Sequence, residues 1–73
     1  MDINEYTRLK IKQIRIEKGL SQRDLARLIG RSENYILAIE SGEIETKILP
    51  LLKFCEVLKI NPHTFYNEFY GRM

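Results

Sequence analysis

Ser21-Gln22-Arg23-Asp24-Leu25-Ala26-Arg27-Leu28-Ile29-Gly30-Arg31-Ser32-Glu33-Asn34-Tyr35-Ile36-Leu37-Ala38-Ile39-Glu40-Ser41-Gly42 is the stretch on which the fold turns. Ser21 followed by Asp24 is a capping pattern, in which a hydroxyl satisfies an orphan amide of the first helical turn. Leu25, Ala26, Leu28 and Ile29 follow, and Gly30 closes the helix with the positive φ that a tight turn needs. Ser32 is a second N-cap. The helix it opens runs through Ile36 and Ile39 to Gly42, another left-handed stop. Leu25, Ile36 and Ile39 can meet in a small core between the two helices. Ala26 is small enough to let the second helix cross the first closely.

Working outward, a first helix is expected from about Asn4 to Lys18, with Leu9, Ile11, Ile14 and Ile16 as its apolar residues and Gly19 as its stop. A fourth is expected to start near Thr46, with Pro50 in its first turn, where a missing amide hydrogen costs least. Leu51, Leu52, Phe54, Cys55, Leu58 and Ile60 give it a rich apolar face. Asn61-Pro62 reads as an N-cap followed by proline at the first helical position. The fifth helix carries Phe65, Tyr66, Phe69 and Tyr70 toward Gly71. Strand signals are poor, with little alternation and no Asn-Gly or Asp-Gly turn. The expectation is an all-α, compact five-helix domain over residues 1–73, with the central pair at about 21–42 and the C-terminal helices at about 46–70. Its core should contain Ile14, Leu20, Leu25, Ile29, Ile36, Ile39, Leu52, Cys55 and Leu58.

Composition narrows the function classes. The chain has 73 residues, enough for one thin-cored domain, and 44% hydrophobic with 30% charged residues suits a globular protein. No apolar run approaches the length of a membrane span, and the N-terminus lacks the pattern of a secretory signal. A cytoplasmic location is expected, and the single cysteine agrees with it. One His and one Cys, far apart, offer no metal-ligand spacing. No phosphate loop or nucleophile motif is present. Neither catalysis, a metal, a cofactor nor a small-molecule substrate is expected. Net charge is +2, and its excess lies in residues 1–42, with eight basic and six acidic side chains; residues 43–73 hold four of each. A modest basic face there would suit a polyanion.

The central stretch, with Gly19-Leu20-Ser21-Gln22, Leu25-Ala26, Gly30, Ser32, Ile36, Ile39 and Glu40-Ser41-Gly42, resembles the lambda-repressor/Cro-like helix-turn-helix family, the XRE type. The resemblance extends over about residues 5 to 69. It implies a lambda-repressor-like fold and sequence-specific binding of double-stranded DNA by a prokaryotic, phage or plasmid transcriptional regulator. The helix starting near Ser32 would enter the major groove, its first residues touching base edges. With about 100° per residue, Asn34, Leu37, Ala38 and Ser41 oppose Ile36, Ile39 and Glu40. Base contacts would then fall to Asn34, whose amide can pair with adenine, and to Ala38 near a thymine methyl. Glu33 either accepts from cytosine or favours the helix dipole. Tyr35 either stacks or bonds near the DNA or is a half-buried surface aromatic. Leu37 meets a methyl or packs on a neighbour.

Phosphate contacts are expected from Gln22, which matches the family's phosphate-contacting glutamine, together with Arg23, Arg31, Ser32 and Ser41. Arg15 and Glu40 stand where the family places an interhelical ion pair. Two departures stand out. Arg31 replaces a usually apolar residue, and the loop after the third helix carries Glu43 and Glu45 where basic residues are common. The acidic loop and exposed Leu37 leave open a rival reading on the same fold: an antitoxin-like or anti-repressor-like protein-interaction module. Lastly, the small domain and the C-terminal aromatics suggest a homodimer, with Phe65 in the core and Tyr66, Phe69 and Tyr70 available to a partner.

Overall fold

The computed structural model describes residues 1–71. The last two residues of the domain read over 1–73 lie outside the described residues. Five helices follow in order: α1 (Ile3–Glu17), α2 (Gln22–Ile29), α3 (Glu33–Ser41), α4 (Ile48–Leu58) and α5 (Pro62–Tyr70). There is no strand among the described residues. No helix among them is long and apolar enough to cross a membrane.

Local chemistry sets each boundary. The Asp2 carboxylate accepts the Glu5 amide at 2.8 Å, starting α1 one residue before the expected Asn4. Ser21 and Asp24 form a reciprocal capping box, at 3.0 and 2.9 Å. The two hydrogen bonds from Ser21 hold the Asp24 carboxyl below its ordinary range. A depressed folded-state value means that the cap's contribution is present above the unfolded value and lost as pH falls through the folded one. Gly30 and Gly42 adopt φ of 72° and 83°, ending α2 and α3. Asn61 accepts the His63 amide at 2.9 Å, with Pro62 first in α5. Helix α4 begins at Ile48, later than Thr46, with Lys47 as an extended N-cap residue that makes no side-chain cap hydrogen bond.

The core brings together Ile11 from α1, Leu25 and Ala26 from α2, Ile36 and Ile39 from α3, Leu51, Phe54, Cys55 and Leu58 from α4, and Phe65 from α5. Ile14, Leu20 and Ile29 are half-buried against it. Leu52, expected inside, is 43% exposed. With α4 starting at Ile48, the inward positions are Leu51, Phe54, Cys55 and Leu58, spaced i, i+3, i+4 and i+7, and Leu52 falls outside that stripe. Leu9 and Ile16 are likewise exposed, since the inward side of α1 is set by Tyr6, Thr7 and Ile11.

Tyr6 organises the C-terminal end. Its hydroxyl donates to the Phe65 carbonyl at 2.7 Å, and its ring meets Phe65 and Phe69 at centroid distances of 5.8 and 5.0 Å. Burial pushes the Tyr66 hydroxyl above its ordinary value, against the opposing hydrogen bond with Thr7. Two of the three aromatics expected at a dimer interface, Tyr66 and Phe69, therefore pack within their own protomer, and Tyr70 is the exposed one. Burial also raises the Cys55 thiol, keeping it protonated and inert. Replacing Leu51 by Ala should cost about 2–5 kcal/mol in urea unfolding, through transfer and cavity terms. Leu52→Ala should cost less than about 1 kcal/mol, because that side chain is already half in water. A reversed order would place α4 in the wrong register.

Candidate nucleic-acid interface

Helices α2 and α3 meet across Gly30, and the turn is fastened by the Arg31 amide donating to the Ala26 carbonyl at 2.9 Å. Ile36 and Ile39 have no exposed surface, so the inward side of α3 is fixed by packing. Asn34, Leu37 and Ser41 are exposed on the other side, with Ala38 half-exposed between them. Ser32 accepts the Tyr35 amide at 3.2 Å, leaving the positive end of the α3 dipole near solvent.

A buried ion pair sets the orientation of α3. Arg15 Nε donates to Glu40 Oε2 at 2.7 Å and Arg15 Nη2 to Glu40 Oε1 at 3.0 Å. The third arm, Nη1, donates to the Leu20 carbonyl at 2.7 Å. Gln22 adds a hydrogen bond from Nε2 to Glu40 Oε1 at 3.1 Å. One carboxylate thus ties α3 to α1 and to the first residue of α2. Both partners are more than nine-tenths buried, and no buried side-chain polar atom among the described residues lacks a partner.

The remaining residues lie in different places. Arg23 near the start of α2 and Glu33 at the start of α3 come together, whereas Gln22 reaches Glu40 near the end of α3 and Asn34 is exposed. Arg23 Nε lies 3.5 Å from Glu33 Oε1 in a solvent-exposed pair. Ser41 lies at the far end of α3, where its hydroxyl donates to the Ala38 carbonyl at 3.2 Å and accepts the Glu43 amide at 3.3 Å. Arg31 and Tyr35 turn away from this surface. The Arg31 guanidinium carbon sits 4.1 Å from the Tyr35 ring centroid, and both side chains border a groove shared with α4.

Arg8 takes a role that the motif does not mark. Its Nη1 donates to the Glu40 carbonyl at 3.4 Å, and its Nε lies 3.0 Å from where a Cβ on Gly42 would stand. A cation there complements the negative end of the α3 dipole. The signal was present in the chain: Arg8 precedes Arg15 by seven residues, two helical turns, and so shares its side of α1.

Residues 11–65 match a family model described as helix-turn-helix. A 60-residue stretch, 81% of this chain, is 35% identical to a curated glutamine–fructose-6-phosphate aminotransferase (isomerizing) of Methanocaldococcus jannaschii. The chain spans 6% of that relative's length.

Removing one member of the buried pair leaves an uncompensated charge. Glu40→Ala should therefore destabilise the protein by about 3–5 kcal/mol. The double replacement Arg15→Met with Glu40→Leu should recover most of that loss in chemical denaturation. Equal losses in the single and double variants would contradict this account.

Proposed function

The chain belongs to the helix-turn-helix family, and from that premise we propose that it is a sequence-specific double-stranded DNA-binding regulator of transcription, acting as a homodimer in the cytoplasm of a prokaryotic cell. The observation that carries this reading is the outward side of α3, where Asn34, Leu37 and Ser41 are exposed and Ala38 is half-exposed, beside the start of α2. Helix α3 enters the major groove by its N-terminal end. Asn34 pairs with adenine and Ala38 meets a thymine methyl. Glu33 stands beside them, its carboxylate shared with Arg23. Phosphates lie against the first turn of α2, contacted by Gln22 and Arg23 and drawn by the helix dipole. The Gln22 amide that bonds Glu40 keeps a second hydrogen for this purpose. Ser32 and Ser41 flank the groove at the two ends of α3. Arg31 and Tyr35, turned toward α4, stand outside the base-reading set.

The rival reading, a protein-interaction module, draws on the exposed apolar residues at the start of α4. Salt separates the two, because DNA affinity falls steeply with ionic strength and an apolar contact does not. Selection of bound sites from random duplex DNA should yield a preferred sequence. Asn34→Ala should weaken that site selectively, by about 1–3 kcal/mol. Arg23→Ala should weaken all duplexes alike and flatten the salt slope. A site preference unchanged by Asn34→Ala in competition assays would rule out direct readout by this residue.

A further inference from the structure

We infer that two copies of this chain join by seating the acidic α3–α4 loop of each in a basic-rimmed apolar groove of the other. This inference rests on the homodimer of the proposed function and supplies its interface. The groove, about 230 Å³, is lined by Ile29, Arg31, Tyr35, Leu49, Pro50 and Lys53. Its floor is apolar, two cations stand at its edge, and no carboxylate lines it. The stack of Arg31 on Tyr35 holds one of those cations in place.

The complementary element is Glu43-Ile44-Glu45. Ile44 is 40% exposed between two exposed carboxylates that belong to no ion pair among the described residues. Its backbone is fixed, since the Ile44 amide donates to the Ala38 carbonyl at 3.2 Å. The loop therefore presents an apolar side chain flanked by negative charge without needing to be ordered first.

The start of α4 adds exposed apolar side chains. Ile48 is 62%, Leu49 75% and Leu52 43% exposed, all on the first turns of α4. Exposed apolar clusters of this kind mark interfaces. Ile44 and Glu45 line a second hollow with Arg8 and Gly42, apart from the groove, whose lining includes Leu49 and Tyr35. A two-fold axis through that cluster sets each loop against the partner's groove, and the contact is made twice. The occupant is a second copy because this chain carries the groove's charge complement on the adjoining surface. Asn34 does not line the groove.

The test is a charge exchange. In one variant, Arg31→Glu with Lys53→Glu makes the groove acidic. In the other, Glu43→Lys with Glu45→Lys makes the loop basic. All four side chains are exposed, so circular dichroism should show both variants folded. In sedimentation equilibrium the wild type should be a dimer. Each variant alone should dimerise roughly a hundredfold more weakly, because like charges then face each other at both contacts. Mixing the two variants should restore a heterodimer, since both contacts regain opposite charge. Ile44→Asp should dissociate the dimer without any change at the groove. A monomeric wild type, an undiminished dimer in either charge variant, or a mixture that stays monomeric would overturn the inference. Half-site binding by a monomer that still depends on Asn34 would leave the DNA-binding reading standing while this interface fell.

Discussion

A guanidinium taken out of water must find partners for its donors, and Arg15 finds them on two different elements. Two arms hold Glu40 of α3 and the third holds the Leu20 carbonyl, in the segment leading into α2. The planar fork of arginine fixes angles as well as distances, which an ammonium group could not do. The energetic return of such a pair is small once desolvation is counted. Its geometric return is larger. The carboxylate also receives Gln22, so the start of α2 and the body of α3 are referred to one group. Displacing α3 would break three hydrogen bonds at a site where water does not replace them.

That constraint explains how a nearly neutral chain can present the surface proposed to face DNA. Net charge is +2, and the exposed Arg23 is partly neutralised by Glu33 at 3.5 Å. Long-range attraction to a polyanion is accordingly modest. What remains is local: the amides and dipoles at the starts of α2 and α3, and a few side chains whose positions are fixed from behind. Exposed pairs such as Arg23 with Glu33 are weak and can exchange partners at little cost. The buried pair cannot, and Arg8 across the end of α3 adds to its hold on the helix.

Much of this was legible in the chain because caps and stops are short-range chemistry. Ser21, Gly30, Ser32, Gly42 and Asn61-Pro62 act through hydrogen bonds or backbone angles that their neighbours alone determine. Register inside an apolar run is a different matter. Leu51 and Leu52 are chemically equal, and only the actual start of α4 at Ile48 decides which of them turns inward. The aromatic stripe of α5 shows the same limit. Its residues were visible, but Tyr6, the partner that takes up Phe65 and Phe69, lies at the other end of the chain. Arg31 and Tyr35 sit in the motif where DNA contacts are expected to begin, yet they stack on each other beside α4. Pairings between side chains far apart in sequence carry no local signature.

The acidic loop is the feature that DNA binding alone leaves without a reason. Two carboxylates placed just after α3 would oppose phosphate, and a loop used only for DNA would gain by losing them. They become intelligible if the loop answers to a protein surface. Arg31 replaces a usually apolar residue in the same chain, and its stacked guanidinium stands beside Lys53 over apolar residues of α2 and α4. The two departures have opposite charge. The proposed interface would account for both, without using the aromatics that α1 and α5 already pack together. In the proposed dimer, electrostatic cost at the DNA would be exchanged for specificity between copies, which unlike-charge pairing at an interface rim provides.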